Sequence, residues 1–177
     1  HKPSIRSAFE GSRDCLFDGL GNSHPGNGNQ NIADAEHYES TVLGPSMRLS
    51  GEVASGLGRA HIFMSQKHYQ SQFKTILGMS AWPGTLNVEM KDESIKNYFK
   101  LRVIAGLDEG DSTEFVETRR IAGFERDGKS FGGATAFSGK VSVNGRDWID
   151  CAVLIPDLTR HSSTAEVISG SFLRECL

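Results

Sequence analysis

From Arg48 onward the apolar positions fall into recognisable periods. Leu49, Gly51, Val53 and Ser55 alternate with polar or small neighbours, which predicts a strand. Ser65 stands as an N-cap before a helix that runs to Leu77, with Gly78 as its stop. Tyr69, Phe73, Ile76 and Leu77 share one face of that helix. Trp82-Pro83-Gly84 makes a turn, and Leu86, Val88 and Met90 then alternate with Thr85, Asn87 and Glu89 as a half-buried strand does. The second half reads as short strands: 101–104, 115–124, 131–137, 148–155 and 164–169. A polar loop covers 108–113, and Phe172 to Leu177 opens a helix. Asp127-Gly128 and Asn144-Gly145 are tight hairpin signals. The expected fold is mainly β, a small β-barrel with one packed helix.

The first 45 residues have no such period. From Asp18 to Ala35 the chain reads DGLGNSHPGNGNQNIADA, with few apolar groups to offset the entropy of ordering it. Residues 1–45 are therefore expected to be a disordered tail or linker, and 46–177 the folded domain. Deleting 1–40 is expected to leave stability unchanged. His1, His24 and His37 lack the spacing of metal ligands.

Among the 177 residues the net charge is −3, which does not recommend nucleic acid or an anionic membrane as a partner. The longest apolar run, Cys151 to Ile155, falls far short of the roughly 20 residues a membrane helix needs. Three cysteines without Cys-x-x-Cys spacing argue against a disulfide scaffold and a zinc knuckle. The first residue is His, so the natural start is expected to differ. With no leader pattern the expected location is cytoplasmic and the expected state a monomer.

Four segments carry candidate chemistry. Gly123 to Ser130, GFERDGKS, fits the phosphate-loop pattern in every fixed position. Yet Glu125 and Asp127 would set carboxylates beside the anion, and a strand-like FGGATAF follows where a helix N-terminus is needed. The segment reads instead as a hairpin. Gly56 and Gly58, directly after a strand, would let backbone approach phosphates, with Arg59 adding charge; a plain turn is the competing reading. Thr85 and Asn87, two apart on a strand, put a hydroxyl and an amide oxygen on one face, hard ligands suited to Mg²⁺; a polar strand face is the alternative. Thr159-Arg160-His161-Ser162-Ser163 with Glu166 invites a nucleophile-and-base reading, but no Gly-x-Ser-x-Gly elbow supports a hydrolase.

In order, GEVASGLGRAHIFMSQKHYQSQF, LGMSAWPGTLNVEM, the DGKSFGG hairpin, CAVLIPDLTRHSS and AEVISGSFLRE resemble the archaeal CTP-dependent riboflavin kinases, from about Ser50 to Glu175. The resemblance implies a six-stranded cradle-loop barrel that phosphorylates riboflavin to FMN, with CTP as donor and CDP as product. It implies that Gly56, Leu57, Gly58, Arg59, Ala60 and His61 cradle the nucleotide, and that Ser171, Phe172, Leu173 and Arg174 close over it. Thr85 and Asn87 would hold the divalent metal, Mg²⁺ or another. Thr159 and Glu166 would contact the flavin. Arg174 and Arg59 would offset phosphate charge, and Glu166 and His161 are the candidate bases.

The chain departs from the family pattern in three places. Arg59-Ala60 stand where the family has Glu-Gly. The segment between His161 and Glu166 is one residue shorter. The chain stops at Leu177, where relatives run on through a Gly-Asp turn and a further strand, so either the barrel closes differently or that strand is missing. Residues 1–45 are too short and too polar for the winged-helix domain some relatives carry. The rival readings are a non-catalytic nucleotide- or flavin-binding module and a ligand-free interaction barrel.

Overall fold

In the computed structural model of the protein, residues 14–20, 47–54, 60–111 and 116–177 are described. The strands are β1 (Asp14–Leu20), β2 (Met47–Ala54), β3 (Leu86–Met90), β4 (Arg119–Ile121), β5 (Phe124–Arg126), β6 (Lys129–Phe131), β7 (Ala134–Ser142), β8 (Ile149–Pro156) and β9 (Thr164–Ile168). The helices are α1 (Ala60–Met64), α2 (Lys67–Leu77), α3 (Glu93–Ile104) and α4 (Leu173–Cys176). Six strands close on themselves in the order β1-β2-β3-β9-β8-β7, and β7 returns to β1. Every pairing in this barrel is antiparallel. β4 adds to the outer side of β7, and β5 and β6 form a separate hairpin.

The barrel has one core inside and a second on its wall. Phe17, Leu49, Val88, Phe137, Val141 and Val153 fill the interior. Tyr69 and Phe73 of α2 pack on Ala136, Ala152, Leu154 and Ile168 from outside. This explains the continuous apolar run of β8: Cys151, Val153 and Ile155 face inward while Ala152 and Leu154 meet the helix, so both faces are buried.

β1 corrects the expected tail. Cys15 and Phe17 are fully buried while Leu16 between them is exposed, a period of two. The backbone of β1 pairs with β2 on one side and β7 on the other, which closes the barrel. Composition misleads here because the apolar-poor run begins only at Asp18, while the short period of Cys15 and Phe17 ahead of it is ordered by backbone pairing across both edges. The rest of the expected tail, with His1, His24 and His37, lies outside the described residues.

Other differences are local. The expected strand at 101–104 is the last turn of α3. Ser94, Tyr98 and Leu101 form the buried face of α3, and the short apolar run at its end cannot by itself separate helix from strand. Gln66, not Ser65, precedes α2, without a side-chain cap; Ser65 instead donates its N–H to His61 O at 3.1 Å and closes α1. Gly78 is left-handed at φ 74° and donates its N–H to Lys74 O, as expected of a helix stop. The strand expected at 115–124 is broken: β4 ends at Ile121, and Gly123 lies against the Phe131 carbonyl where no side chain fits.

Asp127 and Gly128 both have positive φ, 52° and 74°, the signature of a tight two-residue hairpin turn. The phosphate-loop pattern is therefore a β5–β6 hairpin. Lys129→Ala is expected to leave activity within a few-fold of the parent in a turnover assay. A collapse of kcat with folding intact would contradict this assignment. Asn144-Gly145 lies in a longer connection. There Ser142 Oγ accepts the N–H of Gly145 at 3.0 Å, and Asn144 Oδ1 accepts those of Arg146 and Asp147, both at 2.8 Å.

Candidate functional site

Strand alternation places Asn87 and Glu89 on the outer wall of the barrel, opposite in direction to buried Leu86, Val88 and Met90, and Thr85 immediately precedes the strand. Register then brings distant residues into one row. Ala54 of β2 faces Asn87 of β3, Asn87 faces Glu166 of β9, and Glu166 faces Leu154 of β8. Arg174, at the start of α4, donates from Nη2 to Ala54 O at 3.0 Å. Thus register sets Asn87 between Ala54 and Glu166, and Arg174 reaches the same row through the Ala54 carbonyl at the end of β2. Gly56 to Arg59 follow that strand and lie outside the described residues, while Ala60 and His61 open α1.

Asn87 Oδ1 is buried and has no hydrogen-bond partner among the described residues. An orphaned acceptor in a folded protein costs about 1–3 kcal/mol unless something fills its need. A hard cation or a donor group fits that position; the neighbouring Thr85 hydroxyl would be a second neutral oxygen ligand. Among the described residues, no group of three or more His, Cys, Asp and Glu is arranged to hold a metal.

The Glu166 carboxyl is raised above its ordinary range by burial, with His161 opposing the shift. Glu89 is displaced the other way. The hydroxyls of Ser163 and Thr164 both donate to its carboxylate, which holds its pKa below the ordinary value. Such a group contributes stability that is present above its unfolded pKa and is lost as pH falls through its lower folded value. On acidification below about pH 4 the parent is expected to lose stability more steeply than Glu89→Gln in thermal melts. Parallel curves would mean that the Glu89 bonds do not form.

The loop between β8 and β9 carries Thr159 and His161. His161 donates its N–H to Thr159 Oγ1 at 3.2 Å. Phe172 stacks on Trp82, with ring centroids 4.9 Å apart and planes at 21°. That contact ties the segment after β9 to the Pro83-Gly84 turn before Thr85. Leu173 is buried in the barrel interior, which leaves only its backbone for a ligand. An open cavity of about 420 Å³ beside Gln66, Lys67, His68, Phe124 and Arg126 is formed by none of these residues.

Residues 53–177 match the family model CTP-dep_RFKase, described as "Domain of unknown function DUF120". The chain belongs to the archaeal CTP-dependent riboflavin kinase family. A "Riboflavin kinase" of Methanocorpusculum labreanum is 35% identical over 73% of this chain and 51% of its own length. One of Thermoplasma acidophilum is 30% identical over 72% of this chain and 50% of its own. One of Methanococcus vannielii is 34% identical over 74% of this chain and 88% of its own. The chain thus spans about half the length of the first two relatives and most of the third.

Within the riboflavin kinase family frame, two residues of this site escape a reading of the sequence. Glu89 looks like a solvated strand position, although its place two residues after Asn87 puts it on the same face. Arg102 looks like a strand residue because 101–104 is misread. Its Nη1 donates to His161 O at 2.5 Å and its Nε to Asp108 Oδ2 at 2.6 Å. Asp108 lies six residues further along the chain, whereas the His161 carbonyl lies across the fold and no local signal reveals that bond.

Proposed function

We propose that this chain transfers the γ-phosphate of CTP to the 5′-hydroxyl of riboflavin, giving FMN and CDP. The observation that carries the reading is the orphaned Asn87 Oδ1, on a residue whose register neighbours are Glu166 and Ala54, the latter's carbonyl accepting from the Arg174 guanidinium. A phosphoryl-transfer site needs this combination: an oxygen ligand for a cation, a positive charge, and a carboxylate beside the acceptor. Family membership supports the same substrates, and the relatives are named riboflavin kinases.

Thr85 and Asn87 are the residues that would hold Mg²⁺ or another divalent ion, whose chemistry is neutralisation of the nucleotide's phosphate charge. Gly56 to His61 and the backbone of Ser171 to Arg174 bind and orient the nucleotide. Arg174 offsets negative charge on the transferring group. Thr159 orients the flavin. Glu166 accepts the proton of the riboflavin hydroxyl as its oxygen bonds to phosphorus and the bond to CDP breaks. Its raised pKa supports that role, because a base nearer neutrality takes a proton more readily.

No helix among the described residues is long and apolar enough to cross a membrane. Cys15, Cys151 and Cys176 form no disulfide, which supports a reducing, cytoplasmic setting.

The test is FMN formation from riboflavin, scanned over four nucleoside triphosphates and several divalent metals. CTP with Mg²⁺ is expected to give the highest rate. Binding of CDP and FMN without turnover by any donor would replace the enzyme with a binding module.

A further inference from the structure

Charged side chains from three elements converge on the loop 157–163. At its start Asp157 pairs through both carboxylate oxygens with Arg120 of β4, one contact at 2.6 Å. The Asp157 N–H also donates to Gly133 O at 3.0 Å. At its end Glu89 accepts from Ser163 and Thr164, Met90 N–H donates to Ser163 O at 2.8 Å, and Tyr98 OH donates to Thr164 O at 3.2 Å. Both ends are thus held by neighbouring elements: the start by β4 and Gly133, the end by β3 and Tyr98 of α3.

The middle is different. Among the described residues, Arg102 is the one side chain outside the loop that hydrogen-bonds to residues 158–162, through His161 O. The guanidinium is mostly buried, with 12% of its side chain accessible, and Asp108 balances its charge. Burying an arginine is costly unless its donors are used. Here two donors of one rigid fork are spent, one on the neutralising carboxylate and one on the loop. The bond reaches the flavin-contacting group in one further step. Arg102 fixes the His161 carbonyl, and the His161 N–H bonds Thr159 Oγ1.

We propose that Arg102 is the positioning residue of this loop, holding the Thr159 hydroxyl and His161 in the arrangement that the flavin meets. For its ligand the proposal rests on the riboflavin kinase reading; the clamp itself does not. Nothing in the comparisons assigns a role to this position, and the helix that carries it packs on β2 and β3.

The experiment titrates FMN and CDP separately into the parent, Arg102→Ala and Arg102→Lys, and follows hydrogen exchange of the 158–162 amides. Arg102→Ala is expected to weaken FMN binding about tenfold, the scale of one lost charge-assisted hydrogen bond. CDP binding should stay within about twofold, and exchange should quicken in 158–162 alone. Arg102→Lys, which can serve one partner but not both, should fall between. Unchanged FMN affinity in Arg102→Ala overturns the proposal. An equal loss of FMN and CDP affinity also overturns it, because that is a global defect. If the parent binds neither ligand, the kinase reading fails, and exchange alone then decides: quickening confined to 158–162 supports the clamp, and unchanged exchange overturns it.

Discussion

Asn87→Ala is expected to cut FMN formation about a hundredfold, the scale of one lost transition-state electrostatic contact. The same substitution should leave the melting temperature of the ligand-free protein unchanged or slightly raised. The two effects diverge because Asn87 Oδ1 is buried without a partner among the described residues, so it costs stability in the empty protein. Both proposed metal ligands, the Thr85 hydroxyl and the Asn87 amide oxygen, are neutral. Bare Mg²⁺ should therefore bind weakly, and metal and nucleotide should tighten each other by the same factor. Asn87→Asp sharpens the test. It keeps an oxygen ligand but adds charge opposite Glu166 on the neighbouring strand. Free-metal affinity should rise while transfer falls, since a second anion beside the phosphates opposes their approach. Calorimetry in which CDP affinity is indifferent to Mg²⁺ in the parent would remove Thr85 and Asn87 from the metal site.

Phe17→Ala is expected to destabilise the protein by about 3–5 kcal/mol, the range for emptying a buried aromatic position. Phe17 is fully buried and lies in the barrel interior with Leu49, Val88 and Val141. Removing residues 1–20 should do more. It strips β1 from between β2 and β7 and exposes two sheet edges at once. A chain starting at residue 21 is expected to lose cooperative unfolding in urea or to aggregate. This reverses the expectation that residues 1–40 are dispensable. Unaltered urea midpoints in both variants would show that β1 does not close the barrel in solution. Leu16→Ser serves as the control, because that side chain points outward and is exposed.

Much of the site is legible in the chain because its parts are local. Thr85 immediately precedes the strand that carries Asn87, and the Pro83-Gly84 turn before them is written in residue type. The Asp127-Gly128 turn declares the hairpin that defeats the phosphate-loop pattern, since only a left-handed pair makes that connection. The period of Tyr69 and Phe73 announces α2 and its buried face. The ordered motifs from about Ser50 to Glu175 point to the family before any coordinate is seen.

The tertiary structure decided what depends on pairing across distance. That Asn87 faces Glu166 is a matter of register between β3 and β9, and no spacing along the chain encodes it. β1 is hard to read in the chain because only Cys15 and Phe17 carry its period before the Gly- and Asn-rich run from Asp18, and its place is set by pairing with two distant strands. α3 was lost to a short apolar run whose helical partners, Ser94 and Tyr98, show only once the face they bury is known. Arg102 and Glu89 follow the same logic. Local periods report how each segment meets solvent and core, whereas a hydrogen bond between residues 59 apart, such as Arg102 to His161, exists only after the barrel has closed and brought them together.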